Sequence, residues 1–152
     1  MTETIFVDSN VLVYARDPSE GDKHRKAWRW VMDLWNSRAG RVSYQVLHEY
    51  YSIVTQKLDP GLTKRLARAD VRSLMTWRPV ALDSMVLEGA WTVQDRYGFS
   101  FWDSLVVSAA RQSRATLLLT EDLQDGQDLD GLMVVNPFET TPDSIFRDHV
   151  SG

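Results

Sequence analysis

Thr4-Ile5-Phe6-Val7-Asp8 is a short β-favouring run closed by an acid, and its reading decides the fold. The apolar stretch is too short for a helix and is bounded by polar residues, as expected of a strand buried on both faces. Similar runs recur at Val80-Ala81-Leu82, Thr116-Leu117-Leu118-Leu119 and Leu132-Met133-Val134-Val135, with a weaker one at Arg41-Val42-Ser43. Between them lie longer segments with helical periodicity, over 22–37, 44–58, 63–77, 84–97 and 101–113, and a short helix is expected over 11–15. Thr63 and Ser84 are placed to cap the helices that follow them, and Gly98 to end the helix before it. Strands that alternate with helices predict an α/β fold: three layers, α/β/α, around a central, mostly parallel five-stranded sheet. Ligands in such sheets bind at the carboxyl ends of the strands.

The 152 residues contain no internal repeat and no Pro/Gly-rich linker, so a single domain is expected over 1–152. With no cysteine, neither a disulfide framework nor a Cys-based zinc site is possible. The first residues lack a basic flank followed by a long apolar stretch, and no segment approaches the roughly 20 apolar residues of a membrane span. The expectation is a soluble, cytoplasmic protein without membrane association.

The net charge of −4 argues against a simple basic nucleic-acid binder, but the charges are segregated. Residues 22–41 carry six Lys/Arg against two Asp, and residues 61–78 carry five against one. Residues 121–152 hold eight Asp/Glu against Arg147 alone. Two solvated basic helices and an acidic tail would explain this, and so would a directed local field.

Four acids are placed for chemistry. Asp8 follows the first strand, and Asp122 follows the strand at 117–119 after Thr120 and Glu121. In a parallel sheet both strands end on one edge, where the two carboxylates can converge. Asp103 falls in the first turn of the helix at 101–113, and Glu49 on the shoulder of the helix at 44–58. Each has a plainer reading: Asp8 as a helix cap, Asp103 within the capping-box spacing of Ser100, Asp122 as turn chemistry, Glu49 as a solvated shoulder. Together they would form an anionic cluster, which needs a counter-charge, and no Lys or Arg flanks Asp8 or Asp122. An all-oxygen donor set suits Mg²⁺ or Mn²⁺ rather than zinc. Setting the four aside leaves 17 acids against 17 bases, so the site would carry the whole excess negative charge.

Asp8-Ser9-Asn10 after the first strand, Glu49 in a mid-chain helix, Trp102-Asp103-Ser104 opening a late helix and Thr120-Glu121-Asp122 after a strand together resemble the PIN-domain family. The length and an order β-α-α-β-α-α-β-α-α-β-β match that resemblance over essentially the whole chain. The resemblance implies a toxin ribonuclease of a VapBC-type toxin–antitoxin pair, with RNA as substrate, a cognate antitoxin as partner and a homodimer. It also implies an acidic quartet of Asp8, Glu49, Asp103 and Asp122, supported by Asn10 and Thr120. Asp8, Asp103 and Asp122 would hold the metal, and Glu49 would position or deprotonate the attacking water. Asp125 is a further acid that some members use beside or in place of the fourth. Glu121 departs from the common pattern, where Asn is frequent.

Phosphates entering an acidic pocket need a basic rim, for which Lys23, Arg25, Lys26, Arg65 and Arg68 are candidates. Of six tryptophans, Trp28, Trp35, Trp77 and Trp91 read as core or partner surface, and Trp30 or Trp102 as a base-stacking platform. The helix with Trp28, Trp30, Val31 and Leu34 is expected to offer an apolar groove to a partner helix. A haloacid-dehalogenase-like phosphatase would need Asp where Asn10 stands, and a receiver domain a late lysine, whereas Lys64 is the last. A DNA-directed nuclease and a non-catalytic RNA- or partner-binding module on the same scaffold remain as alternatives.

Overall fold

Ile5–Val7 forms β1, an inner strand of the sheet, in a computed structural model that describes residues 3–150, with side chains to residue 146. All three residues are fully buried, and each side chain of this size contributes about 1.5–3 kcal/mol when taken out of water. β1 lies between β2 (Gly40–Arg41) and β3 (Leu117–Leu119), parallel to both. β5 (Leu132–Val135) runs parallel beyond β3, and β4 (Asp128–Leu129) closes that edge antiparallel, for the order β2-β1-β3-β5-β4.

Seven α-helices are described: α1 (Ser9–Tyr14), α2 (Asp22–Ser37), α3 (Tyr44–Gln56), α4 (Lys64–Leu74), α5 (Ser84–Tyr97), α6 (Phe101–Gln112) and α7 (Pro142–Val150). Helices between parallel strands run back against them. Those that follow a strand, α1 and α3, therefore begin at the carboxyl edge of the sheet. Ser43 starts α3 by accepting from Val46 N, Thr63 starts α4 by accepting from Leu66 N, and Ser100 starts α6 by accepting from Asp103 N. Gly98 ends α5 in the left-handed conformation (φ 72°), which a residue without Cβ adopts freely. Gly40 is required for another reason: a Cβ there would lie 2.6 Å from the ring of Trp77.

The α/β class, five strands and mostly parallel pairing agree with the sequence reading; some details do not. Val80-Ala81-Leu82 is no strand. Val80 makes a single bridge to Ser43, while Ala81 and Leu82 are exposed and have no core to pack against. The fifth strand is β4, two residues with one exposed, too short to show any period. The weak run at 41–43 pairs one position earlier, at Gly40–Arg41. The order is therefore β-α-α-β-α-α-α-α-β-β-β-α, with an added α7. The α5 cap is Asp83, which accepts from Val86 N, rather than Ser84. Among the described residues, no helix is long and apolar enough to cross a membrane.

Candidate active site

The register of β1 against β3 builds the site. Val7 pairs with Leu119, and Asp8 N then donates to Leu119 O, so Asp8 and Thr120 leave their strands side by side at the carboxyl edge. Thr120 Oγ1 donates to Asp8 Oδ2 at 2.8 Å and accepts from Asp122 N at 3.1 Å. Asn10, in the first turn of α1, spreads its Nδ2 over Asp8 Oδ2 (3.5 Å), Thr120 Oγ1 (3.4 Å) and Asp122 Oδ2 (3.1 Å). Asp8 is also the cap of α1, accepting from Ser9 N at 2.7 Å. Asp8 thus caps α1 with Oδ1 and turns Oδ2 towards Thr120 and Asn10.

Packing of α1 on α3 brings in Glu49, in the second turn of α3. Ser9 Oγ donates to Glu49 Oε2 at 2.7 Å, and Gln45 Nε2, one turn earlier, donates to Oε1 at 3.0 Å. Neither Ser9 nor Gln45 was marked by the sequence reading. A buried glutamine in an apolar helix face carries no periodic signal, and the Ser9 hydroxyl sits inside the Asp-Ser-Asn motif that drew attention only to its neighbours.

Asp103 occupies the first turn of α6, half-buried. Its backbone N–H takes the Ser100 cap at 3.1 Å, and among the described residues its carboxylate has no hydrogen-bond partner, so the reciprocal half of a capping box is absent. It is joined to the cluster by charge: Asp122 is held above its usual carboxylate range by partial burial first and by Asp103 second, with Glu121 and Glu49 adding to it and the Asn10 amide opposing. Asp8, 4% exposed, is pushed up to about 7. Burial is the chief cause, Asp122 and Glu49 add repulsion, and the Thr120 and Ser9 donors offset part of it.

The structure thus draws Asp8, Asn10, Glu49, Thr120 and Asp122 into one hydrogen-bonded patch, with Asp103 close enough to perturb it. Among the described residues no three acidic or histidine side chains stand at chelating distance of one another. Carboxylates without a cation between them repel and stand apart. The donor chemistry nonetheless fits a hard divalent cation: the donors are oxygens, none of the four acids forms an ion pair among the described residues, and Asp8 is strained towards its neutral form.

Two further acids are accounted for differently. Glu121 turns aside to accept from Tyr14 Oη at 2.8 Å and from Lys23 Nζ at 3.1 Å, so its charge is paired although it still helps to raise Asp122. Asp125 accepts from Asn136 N at 2.8 Å, which stabilises the loop beyond β5, and it is not among the groups that shift Asp8 or Asp122. Of the proposed basic rim, Lys23 reaches the site's edge through Glu121. Arg25 and Lys26 pair with Asp22, Arg68 donates to Tyr51, and no contact ties Arg65 to the acids. Trp30 cannot stack a base: it is 1% exposed and donates to Pro137 O and Thr140 O in the core. Trp102, 63% exposed beside Asp103, remains open.

A family model described as PIN domain matches residues 5–125. No curated protein matches the sequence. Similar solved structures include a toxin–antitoxin complex from Klebsiella pneumoniae (17% identity, TM-score 0.63, covering 88% of this chain and 98% of that one). The VapC20 toxin of Mycobacterium tuberculosis, described as cleaving the sarcin–ricin loop, is 22% identical (TM-score 0.59, 76% of this chain and 87% of that one). VapBC2 from Rickettsia felis, bound to a promoter DNA fragment, is 14% identical (TM-score 0.56, 88% and 98%). At such identities the likeness is one of fold.

Proposed function

This chain belongs to the PIN-domain family, and we propose that it is a metal-dependent ribonuclease, acting as one domain over residues 1–152, that serves as the toxin of a toxin–antitoxin pair. The observation that carries the reading is the uncompensated acid patch at the carboxyl edge of the sheet, built by Asp8, Asn10, Thr120 and Asp122 with Glu49 held beside it. Family members are typically nucleases, and the likeness to a toxin that cleaves the sarcin–ricin loop supports RNA as the substrate.

In this reading Asp8, Asp103 and Asp122 hold Mg²⁺ or Mn²⁺, with Asn10 and Thr120 fixing the two acids that leave the strands. Asp125 is engaged with Asn136 and is the weaker candidate for the fourth acid. The ion would supply charge stabilisation at the phosphoryl group and a lowered pKa for bound water. Glu49 Oε1 or Oε2 accepts the proton of the attacking water, and the phosphodiester is hydrolysed directly, without a covalent intermediate. Lys23, at the rim, provides positive charge for a flanking phosphate.

The antitoxin partner is supported by the outer side of α2. Trp30 and Leu34 are buried, Trp28 and Met32 are exposed and Val31 and Trp35 are half-buried, so Met32 and Trp35 take the places that the sequence reading gave to Trp30 and Leu34. Trp28, Val31, Met32 and Trp35 line, with Leu12 and Leu74, a mostly apolar cavity of about 310 Å³ whose polar wall includes Arg16 and Asp70. A partner helix would bury that surface. The homodimer is proposed from family resemblance.

Incubating the purified chain with structured and single-stranded RNA, with Mn²⁺ or with EDTA, tests the function. Mn²⁺-dependent cleavage that Asp8→Asn lacks is the expected result. Undiminished cleavage by that variant, with contaminating nuclease excluded, would refute the assignment, and saturable Mn²⁺ binding without cleavage of any RNA would favour a non-catalytic binding module.

A further inference from the structure

Among the described residues, two buried side-chain atoms have no hydrogen-bond partner, and both are amide carbonyls of residues that donate into the acid patch: Asn10 Oδ1 and Gln45 Oε1. Buried polar groups are almost always paired, so each exception calls for a reason. For Asn10 the reason is its Nδ2, which bridges two acids and Thr120. Gln45 is the more informative case. It is 5% exposed and lies one helical turn before Glu49. Its orientation is fixed by chemistry: turning the amide over would aim the carbonyl at the Glu49 carboxylate. With Nε2 on Oε1 at 3.0 Å and Ser9 Oγ on Oε2 at 2.7 Å, each oxygen of Glu49 is held by one donor, from two different helices.

A methionine of similar length would fill the same space without burying an unpaired carbonyl, which offsets its loss of the bond to Glu49, so stability alone gives little reason for an amide here. We propose that Gln45 is a positioning residue. Its amide, with the Ser9 hydroxyl opposite, clamps the Glu49 carboxylate in one orientation towards the acid patch, and the unpaired Oε1 is tolerated for that purpose. The clamp rests on the reading of the patch as a hydrolytic site. It assigns Glu49 a fixed geometry, in contrast to Asp103, whose carboxylate accepts no hydrogen bond among the described residues.

The test is a double-mutant cycle on the full chain with RNA and Mn²⁺, with melting temperatures measured in parallel. Gln45→Met is expected to lower kcat about 10–100-fold, the range for residues that orient a functional group, and to leave KM within about twofold. In a Glu49→Gln background the same substitution should change kcat less than about twofold, because the group it orients is gone. Its melting temperature should equal or exceed that of the parent. An equal loss of kcat in both backgrounds would overturn the clamp, as would an unchanged kcat in the parent background or a melting temperature several degrees lower. If the parent chain cleaves no RNA, the nuclease reading fails by itself, and the melting temperature still decides the clamp: unchanged or raised supports it, lowered overturns it.

Discussion

Asp70 and the acids at the carboxyl edge of the sheet are treated in opposite ways. On one side of α3, Asp70 of α4 accepts two hydrogen bonds from the Arg16 guanidinium, at 2.6 and 2.9 Å, and a third from Tyr50 Oη at 2.5 Å. The charge is matched, the fork geometry is satisfied, and the neighbouring Tyr50 hydroxyl is driven above its ordinary pKa by burial and by that carboxylate. At the carboxyl edge of the sheet, Asp8, Glu49, Asp103 and Asp122 have neutral donors or none, and among the described residues no cation pairs with any of them. Lys23 pairs with Glu121 instead. The fold evidently can neutralise an acid where structure requires it. That it does so for Asp70 and Glu121 but not for the four agrees with the proposed cation site at the edge.

The comparison is open to direct attack. Asp103→Asn should lower RNA cleavage by about 1,000-fold, on the scale of removing a group that stabilises a developing charge, while Asp70→Asn changes the rate per folded molecule by less than about threefold. Rates measured on both variants, normalised to folded protein, check this, and comparable losses would erase the distinction between the two regions.

Titration supplies the next test. Asp8 is held at about 7 in the folded chain against its ordinary 3.8, so between those values the folded state keeps a proton that the unfolded state has released. The sign follows: in EDTA this group's contribution is fully present below about pH 4 and is lost as pH rises through 7, a fall of about 2–4 kcal/mol. Asp8→Asn should flatten that part of the stability profile and match or exceed the parent's stability at pH 8. Denaturant melts of metal-free protein between pH 4 and 8 read the difference, and parallel profiles for the two proteins would contradict it.

At Asp70 the same logic runs in reverse. Arg16→Met leaves a partly buried carboxylate without its cation and should destabilise the chain by about 1–2 kcal/mol, less than for a fully buried pair because Arg16 is part exposed. A denaturation midpoint equal to the parent's would show the pair to be idle. The smallest effect is expected at Glu121. Since it faces Tyr14 and Lys23 rather than the patch, Glu121→Gln should alter cleavage by less than about twofold, and a loss as large as that of Asp103→Asn would move it into the site.

Much of this was legible without coordinates, and for identifiable reasons. The run at 4–8 could be read because full burial on both faces leaves an uninterrupted apolar strand, and the next residue must then emerge at the edge. The helix at 22–37 was legible from its spacing alone. The strand at 80–82 misled because β-favouring residues describe a surface to be buried, and here Ala81 and Leu82 have none. β4 is too short to show a period, and α7 packs against α2, far from it in sequence. In the site, the strand-end acids were visible by position and Glu49 only by helical phase. The assignments of Trp30 and Gln45 were out of reach, because an aromatic or an amide on an inward helix face looks the same whether it meets a carbonyl, a carboxylate or only packing.

The most direct measurement is a calorimetric Mn²⁺ titration at pH 7.5 of the parent chain, Asp8→Asn, Asp103→Asn and Asp70→Asn. Saturable binding by the parent and by Asp70→Asn, lost or strongly weakened in the other two, is the predicted result. Equal binding by all four proteins, or none by the parent, would contradict the claim that acids from separate elements of the fold form a single cation site.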